Sequence, residues 1–261
     1  MKTLAFDPGF GIRPVYDPLG FEYGESVFGP QVENRRLESI RPSLMDPDCE
    51  GPDILYSIAM DVGELKDKEE IQKRNLLYGA VTYAKGLLGK EPVRSQGHIH
   101  AVSPSVGDST CEVYEIWSGR ACIYMQETAE DYPGRCFAVL AVPGEAVIVP
   151  PGWAHCTIVA DPTQNMTFGA WCVRDYGFDY MGVRAHKGIA WFPVVEEGEL
   201  KFLPNRYYEE SRIVVKRPRH YLEFGLELGV PIYKQFQEDP DRFLFVSRPD
   251  LAREKWIDFI P

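Results

Sequence analysis

The sequence lacks an excess of basic residues: 28 lysines and arginines stand against 39 aspartates and glutamates, for a formal net charge of −11. Proteins that bind a polyanion over a broad surface usually present a basic face. This charge balance therefore argues against nucleic-acid binding. It remains compatible with one phosphate group held in a small pocket.

Long apolar runs are also missing. No stretch is apolar for long enough to span a bilayer, and the opening MKTLAFDPGF has no apolar core of the kind found in signal peptides. No C-x-x-C pair occurs among the six cysteines, which we interpret as reduced thiols: Cys49, Cys111, Cys122, Cys136, Cys156 and Cys172. We therefore expect a cytoplasmic protein with no membrane partner.

Short runs of strand-forming residues are what the sequence does contain. From about residue 92 to 175 they follow one another with turn residues between them, which predicts an all-β sandwich or barrel. The runs are CEVYEIWSG, ACIYMQE, RCFAVLAVP, GEAVIVPPG, CTIVA and MTFGAWCV.

The other segments are less regular. Residues 1–50 are rich in Gly and Pro, which favours extended segments and loops over helices. DKEEIQKRNLLYGAVTYAKGLLG combines helical charges with a strand-like GAVTYA, so helix and strand both stay open there. Beyond residue 190 the sequence allows one or two short helices. We expect a single domain over residues 1–261, with a barrel core at about 50–200 and a C-terminal appendage at 205–261.

Two of the five histidines, His98 and His100, stand one residue apart in QGHIH. Alternate residues of a β-strand point to the same face, so both imidazoles would project together, which suits a bound metal ion. A third histidine, His155, follows a Pro-Pro-Gly turn. An H-x-H pair by itself is more often structural or exposed than metal-binding.

A carboxylate on the next strand would complete a site of three nitrogens and one oxygen. Alternation along CEVYEIWSG places Glu112, Tyr114 and Ile116 on one face and Glu115 on the other. Imidazole with carboxylate suits Fe(II), Mn, Zn, Co or Ni without strong selection among them. About four protein ligands can leave one or two positions open for water or substrate.

In combination, these residues resemble the motifs of a cupin. Gly144, Pro150, Gly152 and His155 fall at the spacings of the second cupin motif, with Val159 where Asn is usual. The resemblance to the second cupin motif therefore implies that His155 is a metal ligand.

The first cupin motif is present in the same order. His98, His100, Glu112 and Gly119 follow it, but the gap before the glutamate is longer than usual. We interpret AVSPSVGDSTC as a lengthened hairpin loop, which surface connections tolerate. The glutamate-to-glycine spacing selects Glu112 over Glu115.

Within the cupins, the chain resembles the cupin-type glucose-6-phosphate isomerases of archaea and some bacteria. GHIH, EVY, VPPGWAH and DYGFDY are similar to stretches of that family, roughly over residues 50–200 and most strongly over 94–180, with a weaker similarity at RRL. The resemblance implies a cupin β-barrel, also called a double-stranded β-helix or jelly roll. It also implies a homodimer in the cytoplasm and one divalent metal ion per chain. We expect this ion to be Fe²⁺, with Mn²⁺, Zn²⁺, Ni²⁺ or Co²⁺ as alternatives.

The resemblance also assigns roles to residues. The implied metal ligands are His98, His100, Glu112 and His155. The implied catalytic residues are Glu112 and Tyr114. The implied substrate-binding residues are Ser95, Gly97, Thr82 and Tyr180. Three positions depart from the family's tyrosine, histidine and threonine, namely Gly152, Phe178 and Ala80.

The implied activity is the isomerisation of glucose 6-phosphate to fructose 6-phosphate, in which a proton moves between C1 and C2. Glu112 would take the proton and Tyr114 would donate one, while the metal, as a Lewis acid, stabilises the enediolate. A metal-assisted hydride shift needs no base and stays open. A cupin dioxygenase, a non-catalytic sugar-binding cupin and an isomerase of another phosphosugar, such as mannose 6-phosphate, also stay open.

Five further basic residues have simpler interpretations. His186 and His220 show no partner pattern and are expected at the surface or as capping residues. Arg94, Arg174 and Arg184 could pair with a phosphate, although surface salt bridges are the commoner fate of arginine.

Overall fold

Most elements of the computed structural model, which describes residues 4–261, are β-strands. In chain order they are β1 (Ile12–Tyr16), β2 (Leu19–Tyr23), β3 (Val27–Phe28), β4 (Glu33–Arg36), β5 (Ile54–Met60), β6 (Gly63–Glu64), β7 (Leu76–Tyr83), β8 (Leu87–Leu88), β9 (Glu91–Pro92), β10 (Ile99–His100), β11 (Glu112–Ser118), β12 (Ala121–Gln126), β13 (Cys136–Ala141), β14 (Ala146–Val149), β15 (Ala154–Val159), β16 (Met166–Val173), β17 (Phe178–Asp179), β18 (Trp191–Glu196), β19 (Glu199–Pro204) and β20 (Ile213–Lys216). The helices are short: α1 (Leu37–Ile40), α2 (Lys68–Lys73), α3 (Met181–Ala185), α4 (Ile232–Glu238), α5 (Leu244–Ser247) and α6 (Arg253–Trp256).

Two sheets face each other across one core. One has six strands in the order β14-β11-β16-β7-β5-β4, and the other has four in the order β15-β12-β13-β20. Side chains from both sheets meet in a buried cluster, to which the first sheet contributes Val81 and Tyr114 and the second Ile123 and Val139. The cupin β-barrel predicted from the sequence is confirmed.

The predicted strands lie where the alternating runs placed them. Five of the six runs each contain one of the strands β11 to β14 and β16, and CTIVA covers all of β15 except its first two residues. The ambiguous segment holds both structures, since α2 is followed by β7, and Asn75 between them has a φ of 54°. Asparagine tolerates this left-handed conformation better than most residues, so the chain can turn there.

The C-terminal segment covers the outer face of the six-stranded sheet. Trp171 of β16 packs against Tyr233 and Phe236 of α4, with ring centroids 5.8 and 4.7 Å away. All eight residues of β7 are buried because one face lines the barrel and the other lies under these helices. This burial explains why the run shows no alternation of apolar and polar residues.

Both ends of the chain contribute a strand to the sheets. β4 precedes the predicted barrel core of 50–200, and β20 follows it and pairs in parallel with β13. The sheets therefore extend beyond the predicted core, while the division into domains stays a prediction. Within the described residues, no helix is long and apolar enough to cross a membrane. All six cysteines are buried and unpaired, as expected for reduced thiols.

Candidate functional site

Two histidines that are far apart in sequence are paired directly. The backbone of His98 forms an isolated antiparallel bridge with His155, through N–H to C=O hydrogen bonds of 3.0 and 2.9 Å. His100 follows on β10, which pairs with β17. The strand pairing thus places all three predicted imidazoles at one position inside the barrel.

The predicted ligand atoms converge. Ring nitrogens of His98, His100 and His155 lie within 4.8 Å of one another. Oε2 of Glu112 lies 3.2 Å from Nε2 of His100 and 3.5 Å from Nε2 of His155. The structure therefore brings together all four side chains that were predicted from the sequence as metal ligands.

The tautomers of two of these histidines follow from their backbone contacts. Nδ1 of His100 lies 2.9 Å from the carbonyl oxygen of Thr110, and Nδ1 of His155 lies 3.1 Å from that of Trp153. A carbonyl oxygen only accepts hydrogen bonds, so each Nδ1 carries the proton and each Nε2 keeps its lone pair. Nε2 of His98 and of His155 is buried without a hydrogen-bond partner. Unpartnered buried lone pairs beside a carboxylate fit a bound cation.

Electrostatics favour the protonation states that bind a metal. Burial lowers the pKa of His98 well below 6.5, and the neighbouring His155 and His100 add to this effect. Burial also lowers the pKa of His155. Burial alone would raise the pKa of Glu112, but the neighbouring imidazoles of His100 and His155 outweigh this effect and hold the pKa well below 4.5. Neutral imidazoles and an ionised carboxylate are the forms that coordinate divalent cations.

Both oxygens of Glu112 receive a hydrogen bond from a neutral donor. The hydroxyl of Tyr114 donates to Oε2 at 2.7 Å, and the thiol of Cys172 donates to Oε1 at 3.3 Å. Glu115 lies on the opposite face of β11 and accepts a hydrogen bond from the backbone N–H of Ile232. The strand phase predicted from the sequence is therefore confirmed, and the carboxylate is held in one orientation.

The lengthened loop before β11 supports the histidines. Ser109 in this loop donates to the carbonyl oxygen of His100 at 2.8 Å and accepts from the backbone N–H of Gly152 at 2.9 Å. Thr110 supplies the carbonyl that fixes the ring of His100. The loop thus connects the two cupin motifs, a role that sequence spacing did not indicate.

An open pocket with about 650 Å³ of empty space lies in front of these groups. Ser95 and Tyr180, two of the predicted substrate-binding residues, line it together with Glu112. Six further lining side chains are tyrosines or phenylalanines, namely Tyr56, Tyr83, Tyr114, Phe168, Tyr176 and Phe178. Aromatic walls with a few polar groups are typical of pockets for small molecules.

Thr82, another predicted substrate residue, lies outside the pocket. Thr82 points to the opposite face of β7 from Val81 and Tyr83, which line the pocket, and its hydroxyl lies 3.1 Å from that of Thr167. Thr82 therefore does not line this pocket, because neighbouring residues of a strand face opposite sides, and its contact with substrate stays a prediction that the geometry does not support.

Gly97 lies between two residues that line the pocket, and its Cα packs closely against Ile189. Its φ is +92°, and a Cβ placed there would lie 2.8 Å from Cγ2 of Ile189. Only glycine fits this conformation and this close approach. The contact of its backbone N–H with substrate stays a prediction.

Among the five basic residues outside the site, Arg94 is the exception to the surface interpretation. It is fully buried, and its guanidinium binds Glu91 at 2.8 Å and the carbonyl oxygen of Ser43 at 2.6 Å. The expectation of a surface salt bridge was wrong for this residue. His186 matches its expectation, because its Nδ1 lies 2.8 Å from the carbonyl oxygen of Gly182 at the end of α3.

One functional candidate was missed by sequence reasoning. Arg35 on β4 lines the pocket and is paired across the sheet with Tyr56 of β5. The RRL similarity covers Arg35, but it gave no indication that this side chain reaches the pocket. The family's histidine before Asp-Tyr is Phe178 here, and its ring packs edge-on against His98 at 4.6 Å.

Comparison with known proteins identifies the family of this chain. A family model for glucose-6-phosphate isomerase (GPI) matches residues 45–210. The glucose-6-phosphate isomerase of Pyrococcus horikoshii is 31% identical over 200 residues, which cover 72% of this chain and 96% of that protein. The glucose-6-phosphate isomerase of Thermococcus kodakarensis is 29% identical over 204 residues, covering 76% and 98%. Among solved structures, an oxalate oxidase aligns with 48% of this chain and 54% of its own at 12% identity, with a TM-score of 0.36. Since the family match spans more than half of its length, this chain belongs to the glucose-6-phosphate isomerase family.

Proposed function

We propose that this protein is a metal-dependent aldose–ketose isomerase that interconverts glucose 6-phosphate and fructose 6-phosphate. The observation that carries the proposal is the convergence of His98, His100, His155 and Glu112 on one pocket, in a chain of this family. The unpartnered Nε2 atoms of His98 and His155 support these four residues as the holders of a divalent cation. When bound, the cation supplies Lewis-acid stabilisation of negative charge on the sugar's carbonyl and neighbouring hydroxyl oxygens.

Glu112 is the carboxylate that can move the substrate's proton. It is the only acidic side chain among the described residues that line the pocket, and it is ionised. Its Oε2 faces the histidines, so Oε1 is the atom left to take the proton from one carbon and return it to the other. The thiol of Cys172, which donates to Oε1, keeps this oxygen in place.

Tyr114 is the proposed proton donor. Burial raises its pKa well above 10, so the hydroxyl keeps its proton through the neutral range. In the absence of substrate it donates to Glu112, and a substrate oxygen in the pocket would compete for the same proton. The aromatic rings that line the pocket lower the polarity around this exchange, which strengthens the hydrogen bonds formed there.

The test is a coupled isomerase assay over a panel of phosphosugars, after chelation and re-addition of individual metals. We expect turnover of glucose 6-phosphate only with metal restored, and exchange of the C2 proton with solvent. Turnover without such exchange would favour the hydride shift over the Glu112 pathway. Metal-loaded protein that consumes oxygen, or that binds sugars without converting any of them, would overturn the isomerase proposal.

Other expectations stay predictions and follow from the family resemblance. They are Fe²⁺ as the metal, a homodimer and a cytoplasmic location. Metal analysis of protein purified without added metal tests the first, and light scattering tests the second.

A further inference from the structure

A single arginine lies on the wall of the candidate site. The sequence is acidic overall, so an anionic substrate needs a local positive charge. Among the described residues that line the pocket, Arg35 is the only lysine or arginine. Its position follows from the register of the sheet, because it lies directly opposite Tyr56, another lining residue.

The surroundings of Arg35 suit an exchangeable anion. Its side chain is 25% exposed and forms an ion pair with Glu33, whose own side chain is 63% exposed. The side chain of Arg35 is therefore mostly buried, whereas that of Glu33 is mostly in contact with solvent and can move away. A guanidinium presents paired N–H donors that match two oxygens of a phosphate.

Two phenols accompany this cation. Tyr56 and Tyr180 line the same pocket, and burial raises the pKa of each, so both keep a proton to donate. The other arginine in this region, Arg184, is engaged elsewhere: it donates to Gln96 at 3.0 Å and lies over the ring of Tyr180 at 5.0 Å. Of these two arginines, Arg35 is thus the one that lines the pocket.

We propose that Arg35 binds the phosphate group of the substrate and makes the site selective for phosphorylated sugars. In this view Glu33 is the counter-ion of the empty pocket, and the phosphate displaces it. This inference rests on the proposed function, since it names the residue that recognises the substrate's anionic group.

The test compares Arg35→Gln with Arg36→Gln. Arg36 is the next residue on the strand, but it pairs with Asp53 at the surface, so its loss changes the net charge equally without touching the pocket. R35Q should raise KM for glucose 6-phosphate about tenfold to a hundredfold, with kcat within a few-fold and R36Q unchanged. Calorimetry with inorganic phosphate as the probe should show the same loss of affinity.

Two further variants sharpen the test. R35K keeps the charge but not the paired donors, so its affinity for phosphate should lie between that of wild type and that of R35Q. E33Q removes the competing anion and should bind inorganic phosphate more tightly than wild type. Equal or weaker binding in E33Q would contradict the displacement.

The outcomes separate this inference from the proposed function. If wild-type protein converts glucose 6-phosphate and R35Q keeps its KM and its phosphate affinity, the role of Arg35 is overturned and the isomerase remains. If no phosphosugar is converted, the proposed function fails. Phosphate binding that is lost in R35Q and kept in R36Q would then still support the anion site.

Discussion

The hydroxyl of Tyr114 donates a 2.7 Å hydrogen bond to Oε2 of Glu112, two residues earlier on the same strand. Residues two apart on a strand share a face, so this contact follows from the alternation in the sequence. It fixes the carboxylate toward the three histidines, while Glu115, three residues further along, faces the C-terminal helices. Two carboxylates on one strand therefore have separate roles.

The first prediction concerns this pair of carboxylates. Glu112→Gln should lower turnover by orders of magnitude, because it removes both a metal ligand and the proposed base. Glu115→Gln should leave turnover near the wild-type level, since this side chain lies on the other face. Steady-state kinetics of both variants at equal metal content measure the difference. Equal losses in the two variants would mean that the opposite faces of β11 do not separate their roles.

The second prediction concerns pH and stability. Burial raises the pKa of Glu115 to about 8, and hydrogen bonds from Ile232 N–H and Trp117 only partly oppose this. Between the unfolded value of 4.5 and about 8, the folded state holds a proton that the unfolded state releases. The free energy of unfolding should therefore fall as pH rises through this window, by about 1.4 kcal/mol per pH unit from this group.

Urea unfolding of wild type and Glu115→Gln from pH 5 to 8.5 measures that slope. Glutamine has no proton to lose, so the variant should show a flatter dependence. Tyr78, the titratable neighbour whose pKa burial raises well above 10, stays neutral over this range and contributes no slope. Parallel curves for the two proteins would show that Glu115 ionises normally in the folded state.

The convergence of the four candidate metal ligands was predictable because the information is local. His98 and His100 share a face by alternation, and Glu112 and His155 stand in motifs whose spacing reflects strand and turn geometry. Turn residues separate the short strands in the sequence, so the positions of these strands could be predicted as well. Burial on both faces removed the alternating pattern from β7, and the helices that cover it lie in a part of the chain with no family resemblance.

The substrate contacts were less predictable because they depend on pairing between distant strands. Thr82 was predicted to bind substrate because it lies near Ala80, which replaces a threonine of the family. A shift of one residue along a strand moves a side chain to the opposite face of the sheet. Arg35 reaches the pocket only because β4 pairs with β5 in one register. Arg94 looked like a surface residue, but its burial depends on Glu91, which lies three residues away, and on Ser43. No short sequence motif indicates any of these contacts.

The third prediction concerns the metal. His98→Ala and His155→Ala should each lose bound metal and activity together while the barrel persists. A ligand bound only to the folded state raises the melting temperature, so chelation should lower the Tm of wild type and leave both variants unchanged. His186→Ala is the matched control, because His186 caps α3 and is not among the lining residues. Metal analysis and thermal melts check this, and an active, metal-free double variant would end the metal proposal.

The last prediction concerns a hydroxyl beside the metal ligands. Ser95 lines the pocket, and its Oγ accepts the backbone N–H of Thr157 at 3.0 Å. Its own proton is donated to Sγ of Cys156 at 3.7 Å, and a substrate oxygen would be a stronger acceptor than this sulfur. Ser95→Ala should raise KM for the phosphosugar about tenfold to a hundredfold, because hydrogen bonds to charged groups are worth about 1.5–3 kcal/mol. Metal content should not change, since the side chain of Ser95 is not a ligand.

Thr82→Val is the matched control for this hydroxyl. Thr82 is also buried, but its hydroxyl contacts Thr167 on the other face of β7, so KM should stay at the wild-type value. The effect of Ser95→Ala should also vanish with the unphosphorylated sugar, which never uses the contact. If wild-type protein converts free sugars as well as phosphorylated ones, the pocket has no phosphate site. The proposed substrate would then have to be abandoned for this protein, while the metal site would stand on its own contacts.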